Sequence, residues 1–206
     1  MTFSLTTLAR IAVPAALVVA APVAASPASD MAMVQKHLAV TSSMTAGFTQ
    51  TDGKGRSQSG TLSLKKPGKI RFEYGKGADV LLVGNGKTLT FIDYSVGQKS
   101  SWAIANSPLS VLLAPQPNLS RIARIVDSDS PNVVVVRARD ARRPEFGTLV
   151  LAFVRDGASP AGLKLAGWTA IDAQNKRTTV RLTGQRYNVP VADSAFTYAE
   201  PSKKRG

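Results

Sequence analysis

The chain has 206 residues, a net charge of +13, one histidine and no cysteine. Without cysteine it cannot be held together by disulfides, and with one histidine it lacks the ligands of the usual transition-metal sites. We therefore expect one domain that folds by burying apolar side chains, with no metal and no other cofactor.

Residues 1–25 have the features of a cleavable export signal. One positive charge, Arg10, precedes an apolar run over residues 11–21 that is too short to cross a bilayer comfortably. Small residues follow, and Val23 and Ala25 predict cleavage after Ala25. A short membrane anchor and a buried helix are the alternatives. Because charged residues interrupt every later apolar stretch, we expect a soluble exported protein.

The first predicted element after the signal is a helix. Asp30 is a suitable N-cap, and Met31, Val34 and Leu38 then lie on one apolar stripe of a helix that ends near Val40. This stripe predicts one buried helix face.

From residue 44 the apolar pattern changes to a period of two, which predicts strands. Turns are predicted at residues 52–55, at Pro67-Gly68 and at Asn85-Gly86, the last of which is a strong hairpin signal. The predicted strands of the first half cover residues 47–51, 57–65, 69–74, 79–83, 88–91 and 100–105.

Between residues 107 and 114 the pattern becomes helical, with Pro108 in the first turn and three leucines on one side. Residues 118–126 are ambiguous between helix and strand. The predicted strands of the second half cover residues 132–139, 147–155, 163–172, 176–187 and 195–198. Ten or eleven antiparallel strands with two helices predict one large curved sheet or partial barrel.

Residues 80–83 and 133–136 are apolar on both sides of their predicted strands, which predicts cover on both faces of the sheet. A helix is expected on one face. On the other face, the composition leaves open whether helices plug the sheet or a ligand cavity lies there.

The titratable residues are not arranged as a catalytic set. His37, the only histidine, lies in the first helix, where a packed or solvated role is expected. Asp127 and Asp129 are close in sequence, but they lie in a Ser/Pro/Asp-rich stretch that is typical of a solvated loop. The sequence contains no nucleophile elbow, phosphate-binding glycine loop or dinucleotide fingerprint. We expect a protein that is not an enzyme.

The positive charge is spread along the chain. Local clusters occur at Lys65-Lys66, at four arginines within residues 137–143 and in the tail at residues 203–205. In an exported protein nucleic acid is not the expected partner. Such a basic surface suits an acidic partner or a lipid headgroup.

The segment from residue 48 to residue 93 carries a more specific pattern. It contains, in order, Phe48-Thr-Gln50, Gly60-Thr-Leu62, Lys65-Lys-Pro67-Gly-Lys-Ile-Arg71-Phe-Glu-Tyr74, Leu82-Val-Gly-Asn-Gly-Lys-Thr-Leu89 and Phe91-Ile-Asp93. This combination resembles the periplasmic outer-membrane lipoprotein carriers of the LolA family. The similarity extends through most of the mature chain, because Gln98, the Pro108-Leu109 helix and the later strand order also fit.

The resemblance implies an α+β, mainly β fold: an incomplete antiparallel β-barrel of about 11 strands, with helices forming a lid over an apolar cavity. It implies a cleavable signal peptide at residues 1–25, a single lipoprotein-carrier domain at 26–200 and a basic flexible tail at 201–206. The implied function is that of a periplasmic chaperone, which binds the acyl chains of lipoproteins released from the inner membrane and carries them to the outer membrane.

The resemblance also implies partners. These are acylated lipoproteins, an inner-membrane lipoprotein-release ABC transporter and an outer-membrane acceptor. We expect a monomer that binds no nucleic acid. Two other functions on the same fold stay open: a soluble acceptor that inserts lipoproteins, and a lipid-sensing binding module. The missing cysteine argues against a lipid anchor on the protein itself.

The implied site has two groups of residues. The candidates for the cavity wall are Leu62, Leu64, Ile70, Phe72, Leu89, Phe91, Trp102, Ile104, Leu149 and Leu151. The candidates for the lid and its gating are Lys66, Leu109, Leu112 and Leu113. At the position of Lys66 the family commonly has an arginine that is thought to hydrogen-bond the lid backbone, and lysine keeps the charge but loses the planar five-donor group. The alternatives are a surface role for Lys66 and an ordinary core role for Phe72.

Overall fold

The computed structural model of the protein describes residues 26–201, which form one antiparallel sheet of eleven strands with two α-helices. The predicted export signal at residues 1–25 lies outside the described residues, as do residues 202–206 of the predicted tail. The expected fold class, a mainly β chain with an incomplete barrel of about eleven strands, is confirmed.

The elements follow the predicted alternation closely. The strands are β1 Ser43–Asp52, β2 Ser57–Lys65, β3 Lys69–Tyr74, β4 Val80–Asn85, β5 Thr88–Asp93, β6 Gln98–Ala103, β7 Ala123–Val126, β8 Val133–Ala138, β9 Thr148–Arg155, β10 Leu163–Ile171 and β11 Arg177–Tyr187. The α-helices are α1 Pro27–Val40 and α2 Ser110–Leu113, and 3-10 turns cover Ile104–Asn106, Pro144–Phe146, Pro160–Gly162 and Asp193–Phe196. The ambiguous stretch at 118–126 therefore ends in a short strand.

The strand order leaves the sheet open. It runs β6-β5-β4-β3-β2-β1-β11-β10-β9-β8-β7, so the first and last strands of the chain pair in the middle and β6 and β7 form the two edges. The segment between these edges, residues 104–122, must pass from one side of the sheet to the other. We call it the lid segment.

The first helix begins earlier than the sequence predicts. Its N-cap is Ser26, whose hydroxyl oxygen accepts a hydrogen bond from the backbone N–H of Ser29 at 3.3 Å. Pro27 follows in the first turn, where its missing N–H costs nothing. Asp30, the predicted cap, lies within the first turn, and its carboxylate instead binds the Arg155 guanidinium of β9 at 2.6 Å.

The only histidine has a packed role. The His37 side chain is almost fully buried, its ring lies edge-on to Phe153 and Tyr187 at 5.1 and 5.4 Å, and its Nδ1 lies 2.9 Å from the Pro160 carbonyl oxygen. Burial lowers the pKa of His37 below its ordinary value, so the ring is neutral at neutral pH.

The C-terminal segment does not form the strand predicted at residues 195–198. It folds into a 3-10 turn on the convex face, and Phe196 packs there against Leu81, Val83 and Ile92. This contact covers the second apolar side of β4. In β8 the outward-facing valines, Val133 among them, stay only half-buried.

Two lysines hold the C-terminal segment in place. The Asp193 carboxylate accepts from Lys65 Nζ at 2.7 Å and from Lys69 Nζ at 2.9 Å. These two hydrogen bonds lower the pKa of Asp193 to about 2. The pair of cations comes from the ends of β2 and β3, so the basic turn between these strands anchors the segment.

A bulge in β10 reverses which residues face the concave side. Leu163 and Leu165 lie in the core, but the register between β10 and β9 shifts between Leu165 and Gly167, so Trp168 continues the concave face. Gly167 has φ +154°, and a Cβ there would lie 2.1 Å from the Val180 carbonyl oxygen. The bulge therefore requires glycine.

We predict that Gly167→Ala lowers the free energy of unfolding by about 2 kcal/mol or more, because the added Cβ overlaps β11 backbone that has no room to move. Gly157→Ala is the matched control, since a Cβ there meets nothing within 4 Å. It should change the free energy of unfolding by less than about 0.5 kcal/mol. Urea denaturation measures both, and equal stability of the two variants would contradict the role of the bulge.

Candidate functional site

A cavity of about 430 Å³ lies inside the concave face. Its volume falls in the range of roughly 300–1,000 Å³ that is usual for sites of small ligands. The lining residues come from both halves of the sheet, from the lid segment and from two loops: Gln50, Phe72, Tyr74, Leu82, Leu89, Phe91, Trp102, Asn106, Ser107, Pro108, Leu109, Glu145, Phe146, Trp168, Ala170, Asp172, Lys176, Thr178 and Val180.

An aromatic cluster forms the floor of this cavity. The ring of Phe48 lies edge-on to Phe72 at 5.0 Å and to Tyr74 at 5.2 Å, and Phe72 lies edge-on to Trp168 at 6.1 Å. Edge-to-face contacts of this kind fix ring positions without filling the space above them. The floor is therefore rigid and apolar.

The one polar pair near the floor is internally satisfied. The Tyr74 hydroxyl donates to the Gln50 side-chain oxygen at 3.0 Å. Burial raises the pKa of Tyr74 above its ordinary value, so the phenol stays neutral. The charged residues that line the cavity, Glu145, Asp172 and Lys176, lie outside the strands and are exposed. The interior suits an uncharged apolar ligand.

Two large apolar side chains of the wall reach solvent. Phe91 of β5 is 36% exposed and Trp102 of edge strand β6 is 40% exposed, whereas most residues of their size are buried. Both line the cavity, so the apolar surface continues from the interior to the outside.

The lid segment covers the opposite side of the cavity. Pro108 and Leu109 contact the cavity, and α2 follows as a single turn. The backbone N–H of Gly68 donates to the Leu113 carbonyl at the end of α2 at 3.0 Å. Gly68 has φ +69°, and a Cβ there would lie 2.2 Å from the Gly86 carbonyl oxygen, so this position also requires glycine.

Lys66 holds the other helix from the same turn. Its Nζ donates to the Leu38 carbonyl in the last turn of α1, where a cation is favourable because the helix carbonyls point outward there. Burial lowers the pKa of Lys66 to about 8. The β2–β3 turn thus binds α1 through Lys66 and α2 through Gly68.

Gln35 links the two helical regions directly. Its side-chain amide donates to the Pro117 carbonyl, and its side-chain oxygen accepts from the Leu119 N–H at 3.3 Å. Gln35 belongs to α1 and residues 117–119 belong to the lid segment. These hydrogen bonds therefore couple the position of the lid segment to that of α1.

The candidate site residues fall into two groups by position. Phe72, Leu89, Phe91, Trp102 and Leu109 line the cavity. The remaining apolar candidates lie buried in the core around it: Leu62, Leu64, Ile70, Ile104, Leu112, Leu113, Leu149 and Leu151. Lys66 lies on neither surface, and its contact is with the backbone of α1 rather than α2.

Sequence reasoning missed several wall residues, notably Tyr74, Leu82, Trp168 and Val180. Tyr74 continues the alternation of Ile70 and Phe72 in β3, so the period of two would have found it, whereas β4 is apolar on both faces and alternation cannot separate Leu82 from Leu81 and Val83. Trp168 follows the bulge, and strict alternation from Leu163 places it on the wrong face.

Other candidate chemistry is not gathered at this cavity. Asp127 and Asp129 are exposed in the loop after β7. Among residues 26–201, no group of three or more His, Asp or Glu side chains is placed to hold a metal ion. Within the same residues, neither α-helix is long and apolar enough to span a membrane.

Comparisons with known proteins give a family. Residues 39–199 match the family model described as "Outer membrane lipoprotein carrier protein LolA". An outer-membrane lipoprotein carrier protein of Chromobacterium violaceum is 26% identical over 195 residues, covering 91% of each chain. One from Idiomarina loihiensis is 26% identical over 183 residues, covering 84% of this chain and 85% of the relative. The crystal structure of a LolA superfamily protein from Nitrosomonas europaea aligns with a TM-score of 0.43 and 10% identity, covering 85% of this chain and 99% of that one.

The lowered pKa of Lys66 predicts a pH dependence of stability. The unfolded chain has the ordinary pKa of 10.5, so between about pH 8 and that value it binds more protons than the folded chain, and the free energy of unfolding contributed by Lys66 rises with pH. In Lys66→Met this contribution is absent. The stability of the wild type relative to Lys66→Met should therefore be greater at about pH 10 than at about pH 7.5, as measured by urea denaturation. A constant difference would contradict the burial of the charged amine.

Proposed function

We propose that this chain, which belongs to the LolA family of outer membrane lipoprotein carrier proteins, binds the acyl chains of lipoproteins and carries them through the periplasm from the inner to the outer membrane. The observation that carries the proposal is the apolar cavity whose wall reaches solvent at Phe91 and Trp102. Acyl chains in water need such an apolar cavity, because transfer of each methylene group out of water is favourable by about 0.8 kcal/mol of free energy.

The shape of the cavity suits a cargo that must be released. Its floor offers aromatic faces and few polar groups, so an acyl chain gains burial but no strong directed hydrogen bonds. Binding of this kind depends on buried area and is easily reversed when another apolar environment is presented. A carrier needs that property because it has to hand over its cargo.

The lid segment supplies the means of enlarging the cavity. Its helix α2 is one turn long and is held to the sheet by the hydrogen bond from Gly68, while α1 is held by Lys66. α1 is also fixed by Val34 and Leu38 in the core and by the Asp30–Arg155 ion pair, so the single turn α2 and the rest of the lid segment are the parts that can move without disturbing the eleven-strand sheet. We propose that cargo entry opens the lid segment in this way, with Gln35 coupling it to α1.

The proposed partners follow from the route. An ABC transporter of the inner membrane would release the lipoprotein to the cavity, and an outer-membrane acceptor would take it. We propose a periplasmic location because residues 1–25 have the pattern of an export signal.

The direct test uses inner-membrane vesicles that contain a triacylated lipoprotein and the cognate release transporter. Addition of ATP and the purified protein should move the lipoprotein into the supernatant as a soluble complex, with a known carrier as the positive control. Lipoprotein that stays in the vesicles while the known carrier releases it would refute the proposed function.

The cavity wall gives a sharper prediction. Phe91→Glu should weaken binding of a lipophilic fluorophore or a fatty acid by about tenfold or more, because it removes apolar area and places a charge on the wall. Phe91 is partly exposed, so the substitution should leave the fold intact. Fluorescence titration measures the change in affinity.

Val96→Glu is the matched control. Val96 is 58% exposed and does not line the cavity, so this variant makes the same kind of change elsewhere on the surface. It should bind the fluorophore as the wild type does. Equal weakening by the two variants would show that the fluorophore binds to exposed apolar surface in general.

A further inference from the structure

Four arginines lie together beside the edge of the sheet formed by β7 and β8. They line one shallow groove, and three of them are exposed. We call them the arginine rim: Arg121, Arg124, Arg137 and Arg139. The proposed function does not use them.

No salt bridge among the described residues neutralises the arginine rim. Arg124 and Arg137 face each other directly across the β7–β8 pair, an arrangement in which like charges repel. Within residues 26–201 no carboxylate lies within 4 Å of the guanidinium nitrogens of these four residues. The neighbouring Arg143, in contrast, pairs with Asp140 at 3.1 Å. An anion bound from outside would relieve the repulsion.

Two of the four arginines, Arg121 and Arg139, bring the rim to the mouth of the apolar cavity. A second groove, lined by Arg121 and Arg139, runs along the lid segment. Ser107, Pro108 and Phe146 line both this groove and the cavity. Positive charge and apolar cavity are therefore parts of one continuous surface.

The other edge of the mouth is aromatic. Trp102 of β6 and Phe91 of β5 are partly exposed there, so the two free edges of the sheet present arginines on one side and aromatic rings on the other. At bilayer surfaces, basic side chains bind anionic headgroups and tryptophan prefers the interface between headgroups and acyl chains.

We propose that this face of the protein docks on a bilayer that contains anionic lipids, with the arginine rim on the lipid phosphates and Trp102 at the interface. The cavity mouth then faces the bilayer, from which or to which acyl chains move. This inference goes beyond the proposed function, because it concerns direct contact with lipid and requires neither a lipoprotein nor a transporter.

An acidic protein is the other class of partner that the arginine rim could attract. It explains the charge but not the exposed Trp102 and Phe91 on the opposite edge, nor the open apolar cavity between the two edges. The combination favours a surface with both anionic and apolar layers.

Vesicle binding tests the inference. The protein is purified with the N-terminus that the producing cell leaves on it. It is then sedimented with vesicles of phosphatidylcholine, or with vesicles of phosphatidylcholine that contain about 30% phosphatidylglycerol. We expect binding to the anionic vesicles only, and a loss of about tenfold or more when salt is raised from about 0.05 M to about 0.5 M. Arg124→Gln/Arg139→Gln should reduce the partition coefficient by about tenfold.

The matched control is Arg181→Gln/Arg186→Gln. These two arginines are exposed on β11, lie outside the grooves at the mouth and carry the same total charge. The control should bind anionic vesicles nearly as the wild type does. Equal losses in both double variants would overturn the inference, since only net charge would then matter.

Tryptophan fluorescence identifies the docking face. The chain has two tryptophans, and Trp168 is buried, so Trp168→Phe leaves Trp102 as the reporter. Its emission should shift to shorter wavelength on anionic vesicles and should be quenched by lipids with brominated acyl chains. Binding without quenching would overturn the assigned orientation.

The outcomes separate this inference from the proposed function. If the protein accepts lipoprotein from the transporter but does not bind anionic vesicles, the proposed function stands and the membrane-docking inference is wrong. If the arginine variants bind vesicles normally yet lose capture of an acidic protein partner, the rim is a protein-binding surface and the membrane proposal is wrong.

Discussion

The gap between β6 and β7 is the constraint on which the rest of this structure depends. Eleven strands curl into a barrel, but the two edge strands do not pair, so the chain has to cross the gap with the lid segment. A closed barrel would enclose its interior on every side, because each strand would pair with two neighbours. The open one leaves room for a cavity that is walled by strands on most sides and by the lid segment on the last.

The hydrophobic core and the cavity are two ends of the same concave surface. At one end, α1 fills the space, with Val34 and Leu38 fully buried against the sheet. At the other end, the space stays open above the aromatic floor. The short turn between β2 and β3 binds both helical regions, since Lys66 reaches α1 and Gly68 reaches α2. The helical regions are therefore held both by apolar side chains in the core and by hydrogen bonds to this one turn.

Much of this architecture could be predicted from alternation, because one side of each strand faces an apolar interior. β2 and β3 begin and end at the predicted residues. Features that depend on contacts between residues far apart in the sequence could not be predicted in this way. Trp168 changes face through a bulge that shows in the sequence only as Gly167, and Phe196 is buried by packing on β4 rather than by pairing as a strand. The contact between Lys66 and α1 depends on where the helix docks, and the family resemblance suggested a lid contact without specifying it.

The pairing of β1 with β11 has a consequence for the order in which the chain folds. Gln50 lies opposite Val180, so the central joint of the sheet cannot form until nearly the whole chain has been synthesised. Contacts between residues so far apart in sequence slow folding. The delay lengthens the time during which the chain is unfolded. The topology that leaves the barrel open between β6 and β7 thereby also delays completion of the sheet until the chain is nearly complete.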